Sequence, residues 1–161
     1  MPGASRYPKQ AWLADLHTLL DEQDAARAAY REAADLIETD LQLRPDDARA
    51  RAWLAVALAG LGEFDAALAQ AQQARDAMPP ERDALVGPLV RELYARVLLL
   101  RGDHDGALSE LEALAAATGA ATPYTWRLNP VWRELHAHPR FLRMQEVHDR
   151  QTQTLKVGAD G

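Results

Sequence analysis

His136 and His138 stand one residue apart near the C-terminus, and imidazoles are common metal ligands. A helix brings two ligands together only at a spacing of three or four. An H-x-H pair on a helix end therefore points its rings apart, and no Glu or Cys nearby completes a set. Helix-end and capping roles are expected for both, with no metal and no other cofactor. His17, His104 and His148 are isolated and fit turn or surface roles. Asp21, Glu22 and Asp24 form a carboxylate cluster, but a turn with no apolar pocket favours solvated charge over acid–base work. Gly60 and Gly62 flank Leu61; a phosphate loop would open a helix after a strand, whereas these glycines close one. Ser5 and Ser109 lack the setting of a nucleophile elbow. No constellation nominates an active site, and the expectation is a protein that is not an enzyme.

The bulk composition points the same way. The 161 residues suit one domain with its own core. Ala and Leu dominate, and only six residues are Phe or Tyr, which favours helix because Ala and Leu cost least in a helix interior. The absence of cysteine excludes disulfides, thiolate zinc sites and cysteine nucleophiles. No apolar run approaches the roughly 20 residues that span a bilayer, and Met1 to Lys9 lacks the apolar centre of a signal peptide. A cytoplasmic location without membrane contact is the expectation. The net charge of −6 argues against general nucleic-acid binding. The C-terminal stretch alone leans basic, with Arg127, Arg133, Arg140, Arg143, Arg150 and Lys156 against Glu134, Glu146 and Asp149.

The elements that would position any site come from an internal repeat. Leu54, Ala55, Leu58, Gly62, Ala67, Ala71 and Ala74 share their spacing with Tyr94, Ala95, Leu98, Gly102, Ala107, Leu111 and Leu114, and more faintly with Leu13, Ala14, His17, Asp21, Ala26, Tyr30 and Ala33. In the second and third units an amphipathic helix ends near a Gly, which can take the left-handed conformation, and an acid stands near the start of the next helix. The first unit has Asp21 where Gly is usual and His17 where an apolar residue is usual, and is expected as a degenerate or capping unit. Small residues such as Ala67 and Ala107 then let the second helix lie close to the first. A hairpin of this kind cannot bury its apolar face alone, and stacking three makes one continuous core. The spacing predicts helices at about 8–20, 23–42, 47–60, 64–77, 83–100 and 104–117, a short one near 130–137 and a last from 139 to about 154. Gly119 to Thr125 is expected as a loop, with frayed ends at 1–6 and 157–161.

The second unit, with its large–small pair, turn glycine, second-helix alanine and exit Pro79, resembles the tetratricopeptide repeat. The resemblance implies an all-α superhelix of about three helical hairpins (about 8–42, 47–79 and 83–117) in a single domain over 1–161, with a C-terminal cap at about 126–155. The phrase Leu128, Asn129, Pro130, Trp132, Leu135, Pro139, Arg140, Phe141 is similar to the close of repeat regions in bacterial signalling proteins, which stand behind an effector domain. Met1 lies almost at the first repeat, so the chain is expected to be a free-standing adaptor or an excised piece.

The same resemblance implies that the first helix of each hairpin lines a concave binding face. Arg49, Ala52, Trp53, Val56 and Ala59 fall there in the second unit, Glu92, Arg96 and Leu99 in the third, and Trp12, Asp15 and Leu19 in the first. Arg49, Trp53, Val56, Glu92 and Arg96 are the candidate contacts for a protein or peptide partner, with Trp53 flanked by Arg49 and Arg96 able to grip an acidic group. The spacing leaves open whether Trp53 is such a contact or core between repeats. Trp126, Trp132 and Phe141 are assigned to sealing the end of the third hairpin. Three alternatives stand beside partner binding: homodimerisation through the last helices, an enzyme or small-molecule sensor with a pocket inside the superhelix, and DNA binding by the basic tail.

Overall fold

Asp21, Gly62 and Gly102 take the left-handed backbone conformation, with φ of 61°, 83° and 88°, and each lies in the turn of a helical hairpin. The three turns are closed by the same pair of hydrogen bonds. The amides of Glu22, Glu63 and Asp103 donate to the carbonyls of His17, Leu58 and Leu98 at 2.8, 2.9 and 2.9 Å. Those of Asp21, Gly62 and Gly102 donate to Thr18, Ala59 and Leu99 at 3.2, 3.0 and 2.9 Å. This double closure satisfies carbonyls that a helix end otherwise orphans. The first unit lacks the glycine, yet Asp21 adopts the same geometry, since Asp tolerates this region better than most residues.

The computed structural model describes residues 6–117 and 123–159. The helices are α1 (Arg6–Leu19), α2 (Gln23–Leu43), α3 (Ala48–Gly60), α4 (Phe64–Ala77), α5 (Val86–Leu100) and α6 (His104–Ala116). After these come α7 (Pro123–Leu128), a 3₁₀ helix (Pro130–Leu135) and α8 (Pro139–Ala159). The pairs α1–α2, α3–α4 and α5–α6 pack as hairpins, and α3 also touches α1, α2 and α5. The described chain is all-α, an array of stacked helical hairpins. Because α3 has neighbours on every side, Ala50 and all residues from Ala52 to Ala59 are buried, and its many alanines permit that close approach.

Two apolar clusters form. One joins α1 to α5 around Tyr30, Ile37, Trp53, Val56 and Val90. The other seals α5 and α6 with Trp126, Trp132, Leu135 and Phe141, all nearly inaccessible to solvent. Leu68 and Tyr94 pack against both clusters.

The structure departs from the expected elements at three places. Helix α5 begins at Val86 rather than 83, because Asp83 Oδ1 accepts the amides of Leu85 and Val86, both at 2.8 Å, and holds a turn there. Pro123 to Thr125, expected as loop, belong to α7. A six-residue helix cannot stand by itself; this one is held by Gln145 donating to the Pro123 carbonyl and by His136 Nε2, 3.1 Å from the Trp126 carbonyl. Helix α8 runs five residues beyond its expected end at about 154. The rest of the expected loop, 118–122, and the end residues 1–5 and 160–161 lie outside the described residues.

Candidate functional site

Helices α1, α3 and α5 are the first helices of successive hairpins, so residues one or two turns apart on each face a common groove. Its floor is a charged contact between units far apart in sequence. Arg96 Nη2 on α5 donates to Asp15 Oδ1 on α1, and both side chains are largely buried, at 7% and 13% exposure. The Tyr30 hydroxyl on α2 donates to the same carboxylate oxygen at 2.9 Å. Burial raises the Asp15 pKa above the usual aspartate value, an effect that the Arg96 charge and the Tyr30 and Arg96 hydrogen bonds only partly offset. Burial, reinforced by the neighbouring Asp15 carboxylate and opposed by Arg96, pushes the Tyr30 phenol up to about 12.

Above this floor lies a cavity of about 410 Å³. One wall is α1, where Trp12, Leu16 and Leu19 fall on one helical stripe; Trp12 and Leu16 are 67% and 50% exposed. Trp53, Leu89, Glu92 and Leu93 form the opposite side, and Asn129 to Trp132 complete the rim. A second cavity of about 280 Å³ adjoins it across the Asp15–Arg96 pair, bordered by Arg101, Arg133 and Glu134.

Glu92 is half-buried, and its pKa is raised by that burial, against a hydrogen-bonding influence of the Trp126 indole and the more distant attraction of Arg96. The Trp126 N–H points toward Glu92 but falls outside strict hydrogen-bond geometry.

The structure brings Trp53, Glu92 and Arg96 of the five candidate contacts into one cavity, together with Trp12, Asp15 and Leu19 of the first unit. Trp53 serves as core and as lining, since it is 8% exposed and its remaining edge borders the groove. Val56 does not reach the surface: it is fully buried in α3, a helix packed against α1, α2, α4 and α5. Arg49 is exposed at the start of α3 and does not line the cavity. An Arg49–Arg96 grip around Trp53 is therefore not assembled, and Arg96 is already engaged by Asp15.

Leu16, Leu89 and Leu93 were not singled out from the sequence, although Leu16 lies four residues after Trp12 and Leu93 four after Leu89. The rim at 129–132 carries no such signal, because its place depends on how the cap folds back.

The histidines have structural partners. His138 Nδ1 accepts the Arg140 amide at 3.3 Å, His136 packs its ring against Phe141, and His17 and His104 face Glu22 and Glu134. Among the described residues no group of three or more His, Cys, Asp or Glu is placed to hold a metal ion, and no helix is long and apolar enough to cross a membrane.

A stack of helical hairpins whose first helices share a groove defines a helical-repeat protein. The particular repeat is the tetratricopeptide repeat: its family model matches residues 48–73 and 88–113, within the hairpins α3–α4 and α5–α6, so these two units are tetratricopeptide repeats. Repeats of this family generally mediate protein–protein interaction, and the fold is typically a non-catalytic scaffold. Neither a curated protein nor a solved structure matches the chain.

Proposed function

We propose that this chain is an interaction module that receives a segment of a partner protein in the groove between α1 and α5. The observation that carries this reading is the 410 Å³ cavity in which Trp12 and Leu16, both more than half-way or half-way open to solvent, stand opposite Trp53, Leu89 and Leu93. Exposed aromatic and aliphatic side chains around a preformed concavity are the kind of anchor that dominates interface energetics. The Asp15–Arg96–Tyr30 contact makes the floor rigid, so little ordering is needed on binding.

The cap phrase from Leu128 to Phe141, with its likeness to bacterial signalling proteins, extends the reading to a regulatory module acting beside an effector domain in the cytoplasm. A photo-crosslinking amino acid at position 12 tests it, with the partner peptide identified by mass spectrometry. Crosslinks are expected to be lost when the parent chain competes, and partner affinity should fall about tenfold or more in a Trp12→Ala/Leu16→Ala variant. Undiminished binding by that variant would sink the reading.

Self-association is favoured by a different observation. Leu142 and Val147 on α8 are 48% and 45% exposed, and Val147 borders a cavity of about 300 Å³ between α6 and α8. Light scattering at high concentration decides it, and a strict monomer rules it out.

A further inference from the structure

The charges around the groove point to the chemistry of its occupant, on the footing that the groove is the binding site. The ionisable side chains lining the larger cavity are Asp15, Glu92 and Arg96. Arg96 and Asp15 neutralise each other through a direct ion pair, and the remaining guanidinium Nε of Arg96 is unpaired but inaccessible. The guanidinium is therefore not free to receive a carboxylate from outside. Glu92 is different: it lines the cavity and makes no ion pair with any described residue, and an indole N–H, that of Trp126, acts on it. An incoming acidic group would meet an unpaired carboxyl; an incoming cation would find its only uncommitted counter-charge.

We propose that the groove accepts a peptide segment in which a Lys or Arg side chain is flanked by apolar residues, the cation docking on Glu92 and the apolar side chains lying against Trp12 and Leu16. The exposed Trp12 ring offers the cation a second attraction through its π face. The adjoining cavity fixes the direction of the segment. There Arg101 and Arg133 outnumber Glu134, so like-charge repulsion keeps the basic residue at the Glu92 end. This inverts the charge that the sequence suggests from Arg49 and Arg96.

A random peptide library displayed on phage and selected on the full chain tests the proposal. The expected binders are enriched in Lys or Arg beside Leu, Ile or Phe. Their affinity should fall about tenfold in Glu92→Gln, a near-isosteric change whose folding is checked by thermal melting. Selection on Glu92→Lys should shift the enrichment toward Asp and Glu. Binders that need Trp12 but carry acidic or neutral residues, and are indifferent to Glu92→Gln, overturn the charge assignment while leaving the groove intact as the site. A library that yields no binders, or only binders indifferent to Trp12→Ala and Leu16→Ala, overturns both.

Discussion

Asp15 and Arg96 are separated by 81 residues, and their contact ties the first hairpin to the third. Its two ends should respond differently to mutation. In Asp15→Asn the guanidinium keeps its charge at any accessible pH and loses its direct counter-ion while only 7% exposed. Removing one partner of a buried pair costs roughly 3–5 kcal/mol. The remaining access to solvent and the retained Tyr30 hydroxyl argue for the lower end, about 3 kcal/mol, or a fall in melting temperature of roughly 6–12 °C for a chain of this size.

In Arg96→Met the stranded group is a carboxyl, which can escape by taking up a proton. Burial already raises the Asp15 pKa in the intact protein, and loss of the guanidinium raises it further. A raised carboxyl favours the folded state fully below the unfolded pKa, and that contribution is lost as pH rises through the folded value. The cost of Arg96→Met should thus be large near neutral pH and shrink as the solution is acidified toward the ordinary aspartate range, whereas that of Asp15→Asn should not shrink in this way. Urea unfolding followed by far-UV circular dichroism at several pH values measures both. An Asp15→Asn variant within about 0.5 kcal/mol of the parent, or an Arg96→Met cost independent of pH, would refute the reasoning.

Four further outcomes rest on the same structure. A Cβ at Gly60 would lie inside the van der Waals surface of the Tyr30 ring, so Gly60→Ala should cost about 1–3 kcal/mol in chemical denaturation and loosen the Tyr30–Asp15 bond. At Gly62 and Gly102 a Cβ would meet nothing within 4 Å, so the cost of Ala there is conformational alone, about 1–2 kcal/mol each. Asp21→Gly relieves the same strain in the first turn and should leave thermal stability equal or higher by about 0.5 kcal/mol. Glu92→Gln should stabilise the chain near neutral pH, because it removes a buried carboxylate, and the gain should vanish as pH falls below the ordinary glutamate value; a gain that grows on acidification contradicts the burial argument.

The hairpin repeat was legible because its cause is local. A residue able to take left-handed φ must stand where each first helix ends, and small residues must follow where two helices cross; Gly62 and Gly102 announce this, whereas Asp21 gives no such signal and only the structure shows that it takes the same conformation. Trp126, Trp132 and Phe141 were legible as a seal for the same reason, since an open repeat end needs apolar cover. Helix α7 was not, because its stability comes from Gln145 and His136, which lie downstream in the chain.

The groove divides in the same way. Helical periodicity placed Trp12, Asp15, Trp53, Glu92 and Arg96 on first helices, but periodicity in an Ala-rich helix does not say which face a neighbour covers. Helix α3, surrounded on every side, buries Val56 and leaves Arg49 outside the cavity. Only the stacking of the hairpins pairs Arg96 with Asp15, docks Tyr30 on Gly60 and leaves Glu92 as the uncommitted charge. Sequence alone determined the repeat, whereas the charge left uncommitted in the groove depends on which charges meet across 81 residues, and only tertiary contact decides that.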